Sequence, residues 1–238
     1  MSLLSNLKTS TTVQDEKDVL GGTFTVLDSD IYTGTIKYAY LQQAQSSSAM
    51  SLNLCVEIDG KEYKETLWMT NKNGDNFYVA KDGNQNYLPG FTVANNIALF
   101  TCQKPLSELN TEDKILKLYN YEQKQEVPTQ VPCITDMHGK DIALAIMKEV
   151  RPKQQKNDAG VYVDTTETRE VNTIQKVFHP TKHLTVAEIK AQADKPEFYD
   201  RWLEKNKGQV RTVAAKGAAA TATKAGTQNS SVSSLFAN

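Results

Sequence analysis

The stretch MSLNLCVEIDGKEYKETLWMT, residues 50–70, decides the reading of this chain. Every even position from Met50 to Ile58 is apolar, the two-residue period of a strand with one buried face. Asp59-Gly60 then supplies two residues that tolerate positive φ, as a tight hairpin turn requires. A two-residue turn there sets Val56 opposite Tyr63, Leu54 opposite Glu65, Leu52 opposite Leu67 and Met50 opposite Met69 on the core face. The other face carries Cys55 opposite Lys64, Asn53 opposite Thr66, and Ser51 opposite Trp68. A large indole therefore stands on the polar side. Glu65 points inward in this register, which puts it either at the rim of a barrel or beside a bulge that exchanges the faces.

Asn73-Gly74 and Asp82-Gly83 repeat the turn signal, so a β-meander is expected. A two-residue turn at Asn73-Gly74 predicts Trp68 opposite Val79, Thr70 opposite Phe77, and Lys81 opposite Thr66. Trp68 and Phe77 then become diagonal neighbours flanked by Lys64 and Lys81. Such a face suits single-stranded nucleic acid, with rings for bases and ammonium groups for phosphates. It is equally the kind of face that a loop or terminal helix covers. Tyr38 and Tyr40 share the alternation of Ile36 and read as core or rim, with nucleotide contact as the lesser alternative.

Downstream, Val93, Ile97 and Phe100 recur at helical spacing, and strand patterns return in PTQVPCIT, KDIALAIMKEV and Glu170 to Phe178. Between the last two, RPKQQKN reads as a basic loop in which Arg151 and Lys153 either track a phosphate backbone or are simply solvated. Thr185 with Glu188 forms a capping box, and Pro196 opens a second short helix. The resulting division is an arm over 1–22, a β domain over 23–183, a helical extension over 184–208, and a disordered basic tail over 209–238. The tail includes the isolated apolar pair Leu235 and Phe236, read as a docking tip or as chance.

Lysine plus arginine number 27 against 28 acidic residues, so any basic site is local. Residues 205–238 contain five basic and no acidic residues, which leaves the rest of the chain net negative. Three widely spaced cysteines suit free thiols. His179 and His183 lack an accompanying acidic ligand motif, and no phosphate loop or nucleophile elbow is present. No catalytic residue, metal or cofactor is expected, and no membrane span.

Three meander strands, a helix and two further strands follow the order of the five-stranded OB barrel, whose second and third strands face nucleic acid. The expected class is mainly β: an OB-fold-like barrel with a short helix between the meander and the last strands, C-terminal helices and a disordered tail. YLQQAQSSSAMSLNLCVEIDGKEYKETLWMTNKNGDNFY, LPGFTVANNIALF, CITDMHGKDIALAIMKEV and TREVNTIQKVFHP together resemble the OB-fold single-stranded-DNA-binding proteins of tailed bacteriophages. The likeness is to podoviruses that carry an RNA polymerase in the virion, and it covers about residues 20–180. The resemblance implies a non-enzymatic protein in the cytoplasm of the infected host cell. It would coat replication and recombination intermediates and contact replisome or RNA polymerase proteins. Such proteins commonly end in an acidic tail, whereas this tail is basic. A structural or protein-interaction module of a phage is the alternative.

Overall fold

The computed structural model describes residues 26–215, apart from Tyr121 and Ala159. The arm of residues 1–22 and the tail from residue 216, with Leu235 and Phe236, lie outside the described residues. The strands are β1 (Asp30–Gln43), β2 (Met50–Ile58), β3 (Lys61–Trp68), β4 (Phe77–Val79), β5 (Gln85–Tyr87), β6 (Glu112–Asn120), β7 (Gln125–Cys133), β8 (Asp141–Lys156), β9 (Tyr162–Phe178) and β10 (Val210–Thr212). The helices are α1 (Pro89–Cys102), α2 (Val186–Lys190) and α3 (Glu197–Asn206).

Eight strands form one mainly antiparallel sheet, in the order β10-β8-β1-β2-β3 with β9 on β8 and the β6–β7 hairpin joined to β1. The Asp59-Gly60 turn forms with both residues at positive φ, and Val56 meets Tyr63, Leu52 meets Leu67 and Ser51 meets Trp68. Leu52, Leu54, Val56 and Ile58 of β2 are consequently core, whereas Met50, expected on the same face, is 37% exposed at the strand's end. Leu52, Leu54 and Val56 pack with Leu67, with Val93 and Ile97 of α1, and with Ile142, Leu144 and Ile174 of β8 and β9. Pro at the start of α1 fits a first turn whose amides lack helical partners.

The second turn departs from expectation. The chain does not fold back along β3. The Asn71 carboxamide oxygen accepts the amides of Asn73 (2.9 Å) and Asp75 (3.0 Å), closing a compact loop. Phe77–Val79 then pairs with Gln85–Tyr87 in a separate two-stranded sheet around Asp82-Gly83. The end of β3 is instead covered by α1: a Cβ on Gly90 would lie 2.1 Å from the Trp68 carbonyl oxygen.

Closure into a five-strand barrel by strand pairing is not found. Among the described residues β3 pairs with β2, and β9 with β8. The seam between β3 and β9 is bridged by a side chain. The Glu65 carboxylate accepts the Ile174 amide at 2.9 Å and also receives the Tyr63 hydroxyl. Ile174 sits where the β8–β9 register shifts and Gln175 is the extra residue, so the local bend turns its amide away from the ladder. Glu65 is thus inward-facing in an unbroken β2–β3 register.

Two further segments differ from the sequence reading. Arg151–Lys156 is strand, not loop, and with Tyr162–Arg169 it forms a long β8–β9 arm. Val210–Thr212 is likewise not disordered: it pairs in parallel with Lys148–Val150. The capping box at Thr185 and Glu188 forms. α3 lays Trp202 against Ala143, Ala145, Met147 and Phe178, which covers the outer side of β8 and β9.

Candidate nucleic-acid interface

Residue Lys37 is the extra residue of a bulge in β1: Ile36 pairs with Val56, but Tyr38 pairs with Cys55. Bulges re-aim the side chains that follow. Ile36 is buried in the core, and Tyr38 and Tyr40 emerge on the opposite, outer face with their rings 6.2 Å apart. Their assignment to the Ile36 face is therefore corrected.

With this phase, three rungs cross the outer face of β1, β2 and β3. They are Tyr38·Cys55·Lys64, Tyr40·Asn53·Thr66 and Gln42·Ser51·Trp68. Trp68 is 51% exposed. Two strand spacings and the rise along β1 set its backbone about 12 Å from that of Tyr40 and about 16 Å from that of Tyr38. The centre of the face is polar and internally bonded. Thr66 donates its hydroxyl to Asn53 at 2.8 Å, and the Asn53 amide reaches the Gln42 side chain at 3.3 Å. Burial and the neighbouring Cys55 thiol push the Tyr38 hydroxyl up to about 12, so it stays a neutral donor at physiological pH.

The cations divide by what holds them. Lys64 lies 2.8 Å from Glu62, which raises its pKa, and Lys37 bridges Glu57 and Glu62. Lys153 lies 2.9 Å from Glu167. Exposed pairs of this kind contribute about 0–1 kcal/mol, so Lys64 and Lys153 can exchange a carboxylate for a phosphate at little cost. Arg151 cannot. Its guanidinium is bonded to the fully buried Glu149 carboxylate through Nε at 2.6 Å, and Arg211 of β10 binds the other carboxylate oxygen. Thr173 and Gln175 complete that network. Releasing Arg151 would leave a buried charge short of partners, a cost of several kcal/mol. Arg151 belongs to the Glu149 network on β8, apart from the β1–β3 rungs, and its side chain keeps 42% exposure.

Phe77 is likewise removed from the platform, because β4 pairs with β5; among the described residues no ring contact joins it to Trp68. Lys81 sits in the exposed turn between Ala80 and Asn84, away from Thr66, whose ladder partner is Asn53. On the β8–β9 arm, Lys153, Gln154, Tyr162 and Arg169 line a shallow cleft of about 430 Å³. The Tyr162 ring there is 62% exposed and carries Lys156 5.4 Å from its centroid. Tyr162 and Arg169 lie in an arm exposed on both faces, where no buried side of the strand imposes an apolar alternation on the sequence. The available signal is the β-branched and aromatic run Val161 to Thr166 after Gly160.

No known protein family matches the chain, and no curated protein does.

Proposed function

We propose that the protein binds single-stranded nucleic acid, with bases stacked on Trp68, Tyr38 and Tyr40 and phosphates met by Lys64. On this reading the sheet is an OB-like barrel in which the Glu65 bridge stands where β3 and β9 would pair. The β8–β9 arm extends the path of the strand, with Tyr162, Lys153 and Arg169 as further contacts. The carrying observation is the uneven covering of one sheet. Helix α3 hides the outer side of β8 and β9, while the three-rung face of β1–β3 keeps the Trp68 indole exposed, with Tyr38 and Tyr40 half-buried two strands away. Rings on a sheet accept any base, each contributing about 1–3 kcal/mol, so little sequence preference is expected.

The phage resemblance specifies the role. The protein coats single-stranded DNA in replication and recombination in the cytoplasm of the infected host cell, acts without a cofactor and catalyses nothing. Its C-terminal region contacts replisome or RNA polymerase proteins. The protein-interaction module remains the second reading, favoured by the β6–β7 hairpin, where Ile115 is 72% exposed. A thymidine oligomer titrated into a Trp202→Phe protein separates the two. Trp202 is buried and Trp68 is exposed, so emission then reports the platform. Quenching that added salt reverses supports nucleic acid; a flat trace supports the interaction module.

A further inference from the structure

A groove opens where β1 ends, β2 begins and β3 runs into the Asn71 loop. Its walls include Leu41, Met50, Met69, Phe91, Leu106 and Leu109, and it encloses about 300 Å³. The lining is mainly apolar, and Met50 is 37% exposed. Two of the walls are methionines, whose unbranched side chains adapt to an incoming group. Apolar surface left open at a concave site gains free energy when an apolar side chain enters it.

The sequence contains one apolar motif that the interface does not use. From Lys216 to Ser234 the tract is Ala, Thr, Gly, Ser, Lys, Gln and Asn with a single valine, and Leu235–Phe236 follows it. This pair is the only bulky apolar group beyond Ala215, and one leucine with one phenylalanine suits a groove of this size.

Chain length permits the pair to reach the groove of its own molecule. β10 anchors the chain beside Lys148–Val150 of β8, and β8 pairs with Asp30 of β1 at Ile146. From there to Leu41 the path along the strands is about 50 Å at 3.3 Å per residue. The 20 residues from Ala215 to Leu235 span up to about 66 Å. Twenty flexible residues have an r.m.s. span of about 25 Å, so the tether reaches the groove in its extended conformations and holds the tip there at an effective concentration below the millimolar range of a matched linker.

We propose that this groove is the docking site of the chain's own Leu235–Phe236 pair, engaged within one molecule. The inference does not rest on the nucleic-acid reading, and the two respond oppositely to salt. Phosphate contacts weaken as salt rises, whereas an apolar contact persists.

The full-length chain, labelled with ¹³C at its methionine methyls, tests the proposal. Met50 and Met69 line the groove, while Met137 and Met147 are buried elsewhere and report an intact core. In a Leu235→Ala/Phe236→Ala double variant the Met50 and Met69 resonances are expected to shift from their wild-type positions while Met137 and Met147 stay in place. The difference is expected to persist in high salt and on dilution. Superimposable wild-type and variant spectra overturn the proposal. So does a difference that disappears on dilution, which would assign the groove to the tip of a second copy.

Discussion

Replacing Glu65 by glutamine tests the side-chain bridge across the β3–β9 seam. Burial pushes the Glu65 carboxyl up to about 7 from an ordinary 4.5, against the opposing pull of the Tyr63 hydroxyl, the Ile174 amide and Arg151; Glu149 adds to the rise. The folded chain therefore holds this proton more tightly than the unfolded chain. The stabilisation is fully present below about pH 4.5 and is lost as pH rises through about 7, a total of about 3 kcal/mol. His138 and His179, both lowered chiefly by burial, act in the opposite sense, so their stabilisation is present above about 6.5. The wild-type curve alone mixes these effects. The difference between wild type and Glu65→Gln isolates the carboxyl, because the glutamine oxygen still accepts from Ile174 and Tyr63 but does not titrate. Urea unfolding at several values between about pH 5 and pH 8 is the assay. The expected result is a variant that gains on wild type by about 1–3 kcal/mol as pH rises across this window. Parallel curves for the two proteins would refute the assignment of a proton-bearing carboxyl to the seam.

Three other outcomes are expected. Gly90→Ala drives a Cβ into the Trp68 carbonyl, 2.1 Å away, and should cost about 1–3 kcal/mol in urea unfolding and shift Trp68 emission. Arg211→Ala removes one of two guanidiniums from the buried Glu149 and should lower stability by about 1–3 kcal/mol, whereas Lys153→Ala should stay within about 0.5 kcal/mol. Cys55 and Cys133 are buried, with their thiols pushed up chiefly by burial, while Cys102 is partly exposed. Alkylation of the native protein followed by mass spectrometry should therefore modify Cys102 first.

The legible parts of the fold were those governed by local rules. The β2–β3 register followed from alternation plus Asp59-Gly60, and every pair from Ser51–Trp68 to Val56–Tyr63 forms as read. The Thr185–Glu188 capping box likewise located α2, and Pro196 the start of α3. Most failures involve partners remote in sequence or a single extra residue, while the β8–β9 arm is a local hairpin too exposed to show an apolar alternation. Asn73-Gly74 does turn the chain, but Asn71 closes its own loop and Gly90 of α1 takes the space beside Trp68, so β4 never joins β3. Alternation alone does not reveal that Lys37 bulges, and that one residue moves two tyrosines from core to surface. Glu149 and Arg151 share a strand face at two-residue spacing, so their pairing was within reach of the pattern. Arg211, 62 residues away, was not.

The central claim is that Trp68 and the tyrosine pair form a base-stacking platform. Fluorescence anisotropy of a labelled thymidine oligomer, with wild type, Trp68→Ala and Tyr40→Ala at one fixed salt concentration, measures it most directly. Each substitution is expected to weaken binding by about 5- to 150-fold, the equivalent of about 1–3 kcal/mol for a lost stacked base, while circular dichroism stays unchanged. Unaltered affinity in folded Trp68→Ala would contradict the account.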